Sequence, residues 1–388
     1  SATTAVRALV YTASDTSRVE THTYIFYKTV RNQSNTPPPG WPSFFAANTD
    51  TYGPYPADYE MDPDIVNHAN YTSKIDNMLL SIPTISLVTD LPNLWDPNSG
   101  IYYNPNEKNG DPGSRPDPLA NEWERPISIE WINPDGTPGF GALGGARMHG
   151  QASRRPKNTP KHTFRISFKK KYGAGKLDFA LFDFGDPVAK FDQILLRNGG
   201  NRSWSYHDRD QRRETDYAND EWSRRTWIQM GGLTARGTYA HLYINGLYWG
   251  LYVVTERLDE KMLQAYLGGL ETDYDYIVSE EDLGDIPFAS AGDMTAYNQL
   301  LSELGGASLT TPLTNEKYQA AAQLMDMENF ADYLLHTHYI GKTDWPNHNY
   351  NAYRKRTGSD TRFKWMTWDD DSGFNKFNQV WNRPNDFL

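Results

Sequence analysis

The stretch 341–374, GKTDWPNHNYNAYRKRTGSDTRFKWMTWDDDSGF, concentrates oxygen-bearing side chains at spacings that suit phosphate chemistry. Asp344 precedes Asn349 by five positions, and three adjacent carboxylates, Asp369, Asp370 and Asp371, close the stretch. A metal-bridged nucleotide phosphate needs carboxylate and carboxamide ligands, and a further carboxylate must take the proton of an attacking hydroxyl. Asp and Asn are also common turn residues, and a run of acids commonly sits in a solvated loop. Trp365, Trp368 and Phe374 argue against that alternative, because carboxylates crowded among aromatic rings repel one another unless a cation neutralises them.

A second chemical candidate is the loop 150–160, GQASRRPKNTP, between strand-like segments 142–149 and 161–169. Its backbone amides with Ser153, Arg154 and Arg155 can cradle phosphates, and Lys161 at the start of the following strand can reach the α and β groups. A basic loop in an acidic protein is equally a solvated surface, and no GxGxxG motif accompanies it.

These side chains need elements to position them. Segments 350–355 and 363–367 read as two strands around Gly358-Ser359-Asp360, a hairpin that would set Asn349 beside Asp369. An Asp, an Asn five residues on and a second Asp after a hairpin follow the chain order of protein kinases. In that order the helix expected over 217–230 would carry a carboxylate for Lys161. Glu221 is the first candidate and Glu214 the second, with an ordinary surface carboxylate as the alternative. Asn245-Gly246 gives the strongest hairpin signal, inside 240–255. Glu256, which ends that hairpin, would meet the nucleotide from a hinge or form an internal ion pair with Arg257 or Lys261. Further strands are expected over 80–89 and 123–131. Helices are expected from 258 to 267 and over 294–304, 315–325 and 327–341, with 272–292 read as an acidic loop. His336 and His338 lie two apart on one helix, on different faces, so they do not form a metal pair.

Composition narrows the classes. A net charge of -11 makes nucleic acid an unfavourable partner. The mean hydropathy is -0.73, yet 14% aromatic residues argue against disorder. No apolar run reaches the roughly 18 residues a spanning helix needs. With no cysteine there is neither a disulfide nor a thiolate zinc site. The chain begins on Ser1 rather than Met and ends at Leu388 in a polar stretch, which reads as a piece of a longer protein.

Asp344-Trp345-Pro346 with Asn347 and Asn349, followed by WDDDSGF at 368–374, resembles the C-terminal signature of the spore-coat-protein-H (CotH) kinase family. The segment LYINGLYWGLYVVTERLDEKML is the most specific match to that family, and PKNTPKHTFRISF around Lys161 is similar to its phosphate loop. The resemblance covers about 61–374. It implies an α+β, bilobal, atypical protein-kinase-like fold with a β-rich N-lobe, about 77–256, and a helical C-lobe, about 257–388, which a further C-terminal extension could complete. It implies a secreted or surface-associated bacterial protein kinase that moves the γ-phosphate of ATP to Ser or Thr of a protein substrate. Asp344 would then be catalytic with Lys161. Ser153, Arg154, Arg155, Lys161, Glu221 and Glu256 would bind nucleotide, and Asn349, Asp369 and Asp371 would hold Mg²⁺ or Mn²⁺, with Asp370 as a surplus charge.

Ahead of that domain, residues 1–27 resemble the closing hairpin of a small β-sandwich, and 28–76 form a Pro- and Gly-rich strap or linker. Two rival readings remain at this level. One is a kinase-like domain that binds nucleotide or Ca²⁺ without transfer, and the other is a secreted adhesion or carbohydrate-associated module.

Overall fold

Seven of the strands hydrogen-bond in a ring and close a barrel, in the order Gly237–Ile244, Leu247–Glu256, Gln193–Arg197, Thr163–Ser167, Phe140–His149, Arg125–Ile132 and Thr84–Val88. They belong to a computed structural model that describes residues 2–45, 56–102, 124–150, 158–206, 215–279, 286–305 and 313–374. The chain divides into two compact units. Residues 1–181, 189–213 and 237–255 form the first, and 182–188, 214–236 and 256–388 form the second.

In the first unit, β1 (Thr4–Ala8) and β2 (Glu20–Tyr24) make an antiparallel two-stranded sheet of their own. The hairpin leans on the barrel through hydroxyls: Thr21 Oγ1 donates to Ser128 Oγ at 2.8 Å, and Thr23 Oγ1 donates to Glu130 at 2.6 Å. Two short helices, α1 (Pro63–Val66) and α2 (Ile75–Met78), precede β3 (Thr84–Val88), and α3 (Leu91–Trp95) follows it. The barrel continues through β4 (Arg125–Ile132), β5 (Phe140–His149) and β6 (Thr163–Ser167). A two-stranded pair, β7 (Leu177–Asp178) with β8 (Lys190–Phe191), interrupts the sequence before β9 (Gln193–Arg197). The strands β10 (Gly237–Ile244) and β11 (Leu247–Glu256) complete the ring, and β3 seals it by running parallel to β10.

β-branched and aromatic content explains why these segments are strands, and full burial of all five positions in β3 and β6 shows that both of their faces are covered. The β10–β11 turn is the tight one expected: Asn245 at φ 48° and Gly246 at φ 83° are both left-handed, as a two-residue hairpin loop requires. Part of the cover is an aromatic cluster. Trp41, Phe45 and Tyr59 pack with Trp95, Tyr102 and Trp249, the Trp95 and Tyr102 rings lying 4.3 Å apart. Gln33 fixes the chain leading into it by exchanging two hydrogen bonds with the backbone of Tyr248, at 2.9 and 3.0 Å.

The second unit carries α4 (Asn219–Gln229), α5 (Glu260–Leu267), α6 (Thr295–Glu303), α7 (Asn315–Leu324) and α8 (Met327–Tyr339). It also carries a four-stranded sheet in the order β13-β12-β14-β15, built from β12 (Tyr274–Ser279), β13 (Phe288–Ala291), β14 (Tyr350–Lys355) and β15 (Lys364–Met366). The expectation of an acidic loop over 272–292 and a helical lower half is corrected here. β12 is buried at all six positions, and its Asp275 is neutralised by Arg354 and Arg356, whose Nε atoms lie 2.7 and 2.8 Å from its carboxylate. A strand with a paired internal charge reads as polar until the partners are known.

The fold is therefore mixed, with a closed barrel, a smaller antiparallel sheet and several helices. No helix among the described residues is long and apolar enough to cross a membrane.

Candidate active site

The acidic stretch folds around the antiparallel hairpin β14–β15, with Asn351 opposite Met366 and Tyr353 opposite Lys364. Helix α8 leads into it. Asp326 caps its start by accepting from Asn329 N at 3.1 Å, and the helix buries Tyr333, His336 and Thr337 on one face. The chain then turns through Lys342 to Asp344 and enters β14 just after Asn349.

Asp344 is half exposed, and both of its carboxylate oxygens are held. His348 Nε2 lies 2.6 Å from Oδ1, and Asn349 Nδ2 donates to Oδ2 at 2.8 Å and to the Asp344 carbonyl at 3.2 Å. These contacts pin the nitrogen end of the Asn349 amide, so its carbonyl oxygen is the end able to ligate a cation. Asn349 sits at φ 60° and Asp369 at φ 56°, a left-handed conformation that costs free energy for residues other than glycine unless the surroundings impose it.

Asp370 is not a surplus surface charge. It is fully buried at the start of a short helical turn, Asp370–Ser372, and accepts from the hydroxyls of Ser223 and Thr367. Its other oxygen lies 2.7 Å from the ammonium of Lys342, which is itself 2% exposed, while its backbone N donates to Asp220 at 3.1 Å. Burial pushes the Asp370 carboxyl up, and Lys342 together with His336 brings the group below the usual carboxylate range. Burial likewise lowers Lys342, and Asp370 together with Tyr333 and Asp369 brings the ammonium above the usual lysine value. Both directions favour the ionised pair.

Helix α4 supplies the wall behind Asp370. Its first turn carries Asp220 and Glu221, the sign that a helix N-terminus favours. Asn219 Nδ2 donates to Gly373 O at 2.9 Å, and His336 from α8 approaches the Ser223 carbonyl at 3.1 Å. Burial keeps His336 below the usual histidine value.

The nucleotide-binding expectations are distributed as follows. Lys161 belongs to the first unit, two residues ahead of β6, with its ammonium 5.3 Å from the centre of the Trp249 ring; burial lowers it below the usual lysine value, with Asp58 opposing. Glu221 belongs to the second unit, where Arg224 and Arg225 hold it at 2.8 and 2.7 Å. Glu256, 2% exposed, accepts from Arg236 N at 2.8 Å and from Tyr266 OH at 2.6 Å rather than pairing with Arg257 or Lys261, and burial raises its carboxyl. Ser153, Arg154 and Arg155, with the alternative Glu214, lie outside the described residues.

Among the described residues no group of three or more His, Asp or Glu side chains could hold a metal ion. A cation at this turn would need the Asn349 amide oxygen and non-protein ligands in addition to Asp369 and Asp371. An all-oxygen set of one or two carboxylates completed by phosphates and water is what Mg²⁺ takes in nucleotide sites, so the donors fit such an ion.

A family model described as CotH kinase protein matches residues 146–386, more than half of the chain. The chain belongs to the CotH kinase family. The CotH match begins within β5 and runs past the acidic turn, so it takes in Lys161, Glu221, Glu256, Asp344, Asn349, Asp369 and Asp371 and excludes the N-terminal hairpin and the aromatic strap. CotH membership points to kinase-like phosphotransfer chemistry. No curated protein matches the chain.

Sequence reasoning missed Lys342 and the buried role of Asp370. Lys342 lies between a helix end and Asp344, where a lysine normally reads as solvated, and nothing local shows that its acceptors come from 349, 368 and 370.

Proposed function

We propose that this CotH kinase family member transfers the γ-phosphoryl group of ATP to a Ser or Thr hydroxyl of a secreted or cell-surface protein. The observation that carries the reading is the exposed carboxylate of Asp344, held on both oxygens by His348 and Asn349, beside an oxygen-rich turn whose middle carboxylate is already neutralised. In this reading the barrel-bearing unit is the counterpart of a kinase N-lobe, and the helix-bearing unit of a C-lobe.

Asp344 positions the acceptor hydroxyl and takes its proton as the new O–P bond forms and the bond to the β-phosphate oxygen breaks, releasing ADP. Its fixed orientation means little reorganisation is needed at the moment of transfer. Asn349, Asp369 and Asp371 would hold Mg²⁺ or Mn²⁺, and a bound divalent ion supplies charge neutralisation at the β and γ oxygens. Lys161 is assigned to the phosphates, because a partly desolvated ammonium with an aromatic ring beneath it gains strongly from an anion. Ser153, Arg154 and Arg155 are assigned beside it. Glu221 and Glu256 are already engaged by arginines, by a backbone amide and by Tyr266, so their part in nucleotide binding would be to support the framework around it.

The test is incubation with labelled ATP, Mg²⁺ or Mn²⁺ and a Ser-rich acceptor. Transfer that disappears in Asp344→Ala and in Asp369→Ala supports the assignment, and label that survives both substitutions sinks it. A nucleotide-dependent rise in melting temperature without any transfer would point to a binding domain instead.

A further inference from the structure

We infer that Lys342 is a positioning residue of the acidic site, which holds the Asn349 turn and the Asp369 turn at ligating distance and keeps Asp370 out of the ligand set. The inference rests on the metal-binding reading above.

Lys342 donates to Asn349 O at 2.8 Å and to Trp368 O at 2.5 Å, and its ammonium faces Asp370 Oδ1 as an ion pair at 2.7 Å. The first carbonyl belongs to one expected ligand and the second immediately precedes another. One buried cation therefore ties together two turns that lie at opposite ends of the β14–β15 hairpin in sequence. Asn349 and Asp369 are also both left-handed, at φ 60° and φ 56°, as is Phe374 at φ 63°, so the two fixed points fall on strained backbone.

The third contact does a different job. Three consecutive carboxylates could all compete for one cation, and the repulsion among them would spoil the site. Asp370 is withdrawn, one oxygen facing Lys342 and the other accepting from Ser223 and Thr367. Asp369 and Asp371, both half-buried, are the alternating pair that the metal reading assigns. Lysine at 342 supplies donors to two carbonyls and a counter-charge to Asp370 at once. A neutral residue there would leave two carbonyls and one carboxylate unpaired in the interior.

The experiment separates positioning from stability. Mn²⁺ binding to the full chain is measured by calorimetry and by electron paramagnetic resonance, with and without a non-hydrolysable ATP analogue. The proteins compared are the unsubstituted chain, Lys342→Met, Asp370→Asn and the pair K342M/D370N, each with its melting temperature. The pair removes both buried charges but still leaves the Asn349 and Trp368 carbonyls without their donor, so its melting temperature recovers only part of what either single substitution loses. Its Mn²⁺ affinity is expected to stay at least about tenfold below that of the unsubstituted chain, the range seen when residues behind metal ligands are lost. Affinity that recovers in step with the melting temperature shows a merely structural lysine and overturns the inference alone. An unsubstituted chain that fails to bind Mn²⁺ under either condition overturns the metal reading, and the inference with it.

Discussion

Asn349 donates its side-chain amide to Oδ2 of Asp344 at 2.8 Å while His348 closes on Oδ1 at 2.6 Å, so a half-exposed carboxylate is fixed in direction without being buried. A carboxylate placed this way can act on a substrate with little consequence for folding. Asp344→Asn should therefore lower kcat by about 10²–10⁴, the span of a lost general base, with a melting temperature within a few degrees of the unsubstituted chain. A parallel fall in melting temperature and rate would identify Asp344 as a structural residue.

Asp370→Asn is expected to behave oppositely. It leaves the Lys342 ammonium buried without its counter-charge, and breaking one side of a buried pair costs about 3–5 kcal/mol. Urea denaturation followed by tryptophan fluorescence measures it, and a change below about 1 kcal/mol would mean the pair is not ionised in the interior.

Glu256 gives the stability a pH signature. Burial raises its carboxyl above the usual glutamate value of 4.5, so the native state holds a proton longer than the unfolded chain does. Between 4.5 and the raised native value, stability falls as pH rises, because the unfolded state binds fewer protons there. Glu256→Gln removes that slope. Melting curves of the two proteins collected from pH 4 upwards should diverge as pH rises, with the glutamine variant the flatter of the two.

Gly232 marks a close approach in the second unit's core. A Cβ there would lie 2.1 Å from the Trp227 ring, which is 1% exposed and donates from Nε1 to Leu233 O at 3.2 Å. The ring has nowhere to retreat, so Gly232→Ala should destabilise by about 1–3 kcal/mol. Thermal unfolding reads the effect, and an unchanged melting temperature would show that the loop, not the ring, yields.

What could be read from the sequence follows the range of the interactions. The Asn245-Gly246 hairpin, the β14–β15 pair and α6 to α8 are local patterns, and the structure has them within a few residues of the expected bounds. Closure of the barrel rests on Thr84 meeting His241 in a parallel pairing, which no short motif announces. β12 was hidden because Asp275 reads as a loop residue until Arg354 and Arg356 are placed beside it. Asp344, Asn349 and the acidic triplet stood out by residue type and spacing. The inversion that buries the middle acid did not, because its partners lie on Lys342, Ser223 and Thr367.

Closure of the β3–β11 ring also bears on how copies of this protein meet at high concentration. A ring leaves no row of unsatisfied amides and carbonyls for a neighbouring molecule to zip onto, whereas the four-stranded sheet ends in β13 on one side and the three-residue β15 on the other. Strand-to-strand aggregation of the native protein should start from such rims and from the open edges of the two-stranded β1–β2 and β7–β8 pairs, and charged substitutions along β13 and β1 would be the first places to suppress it.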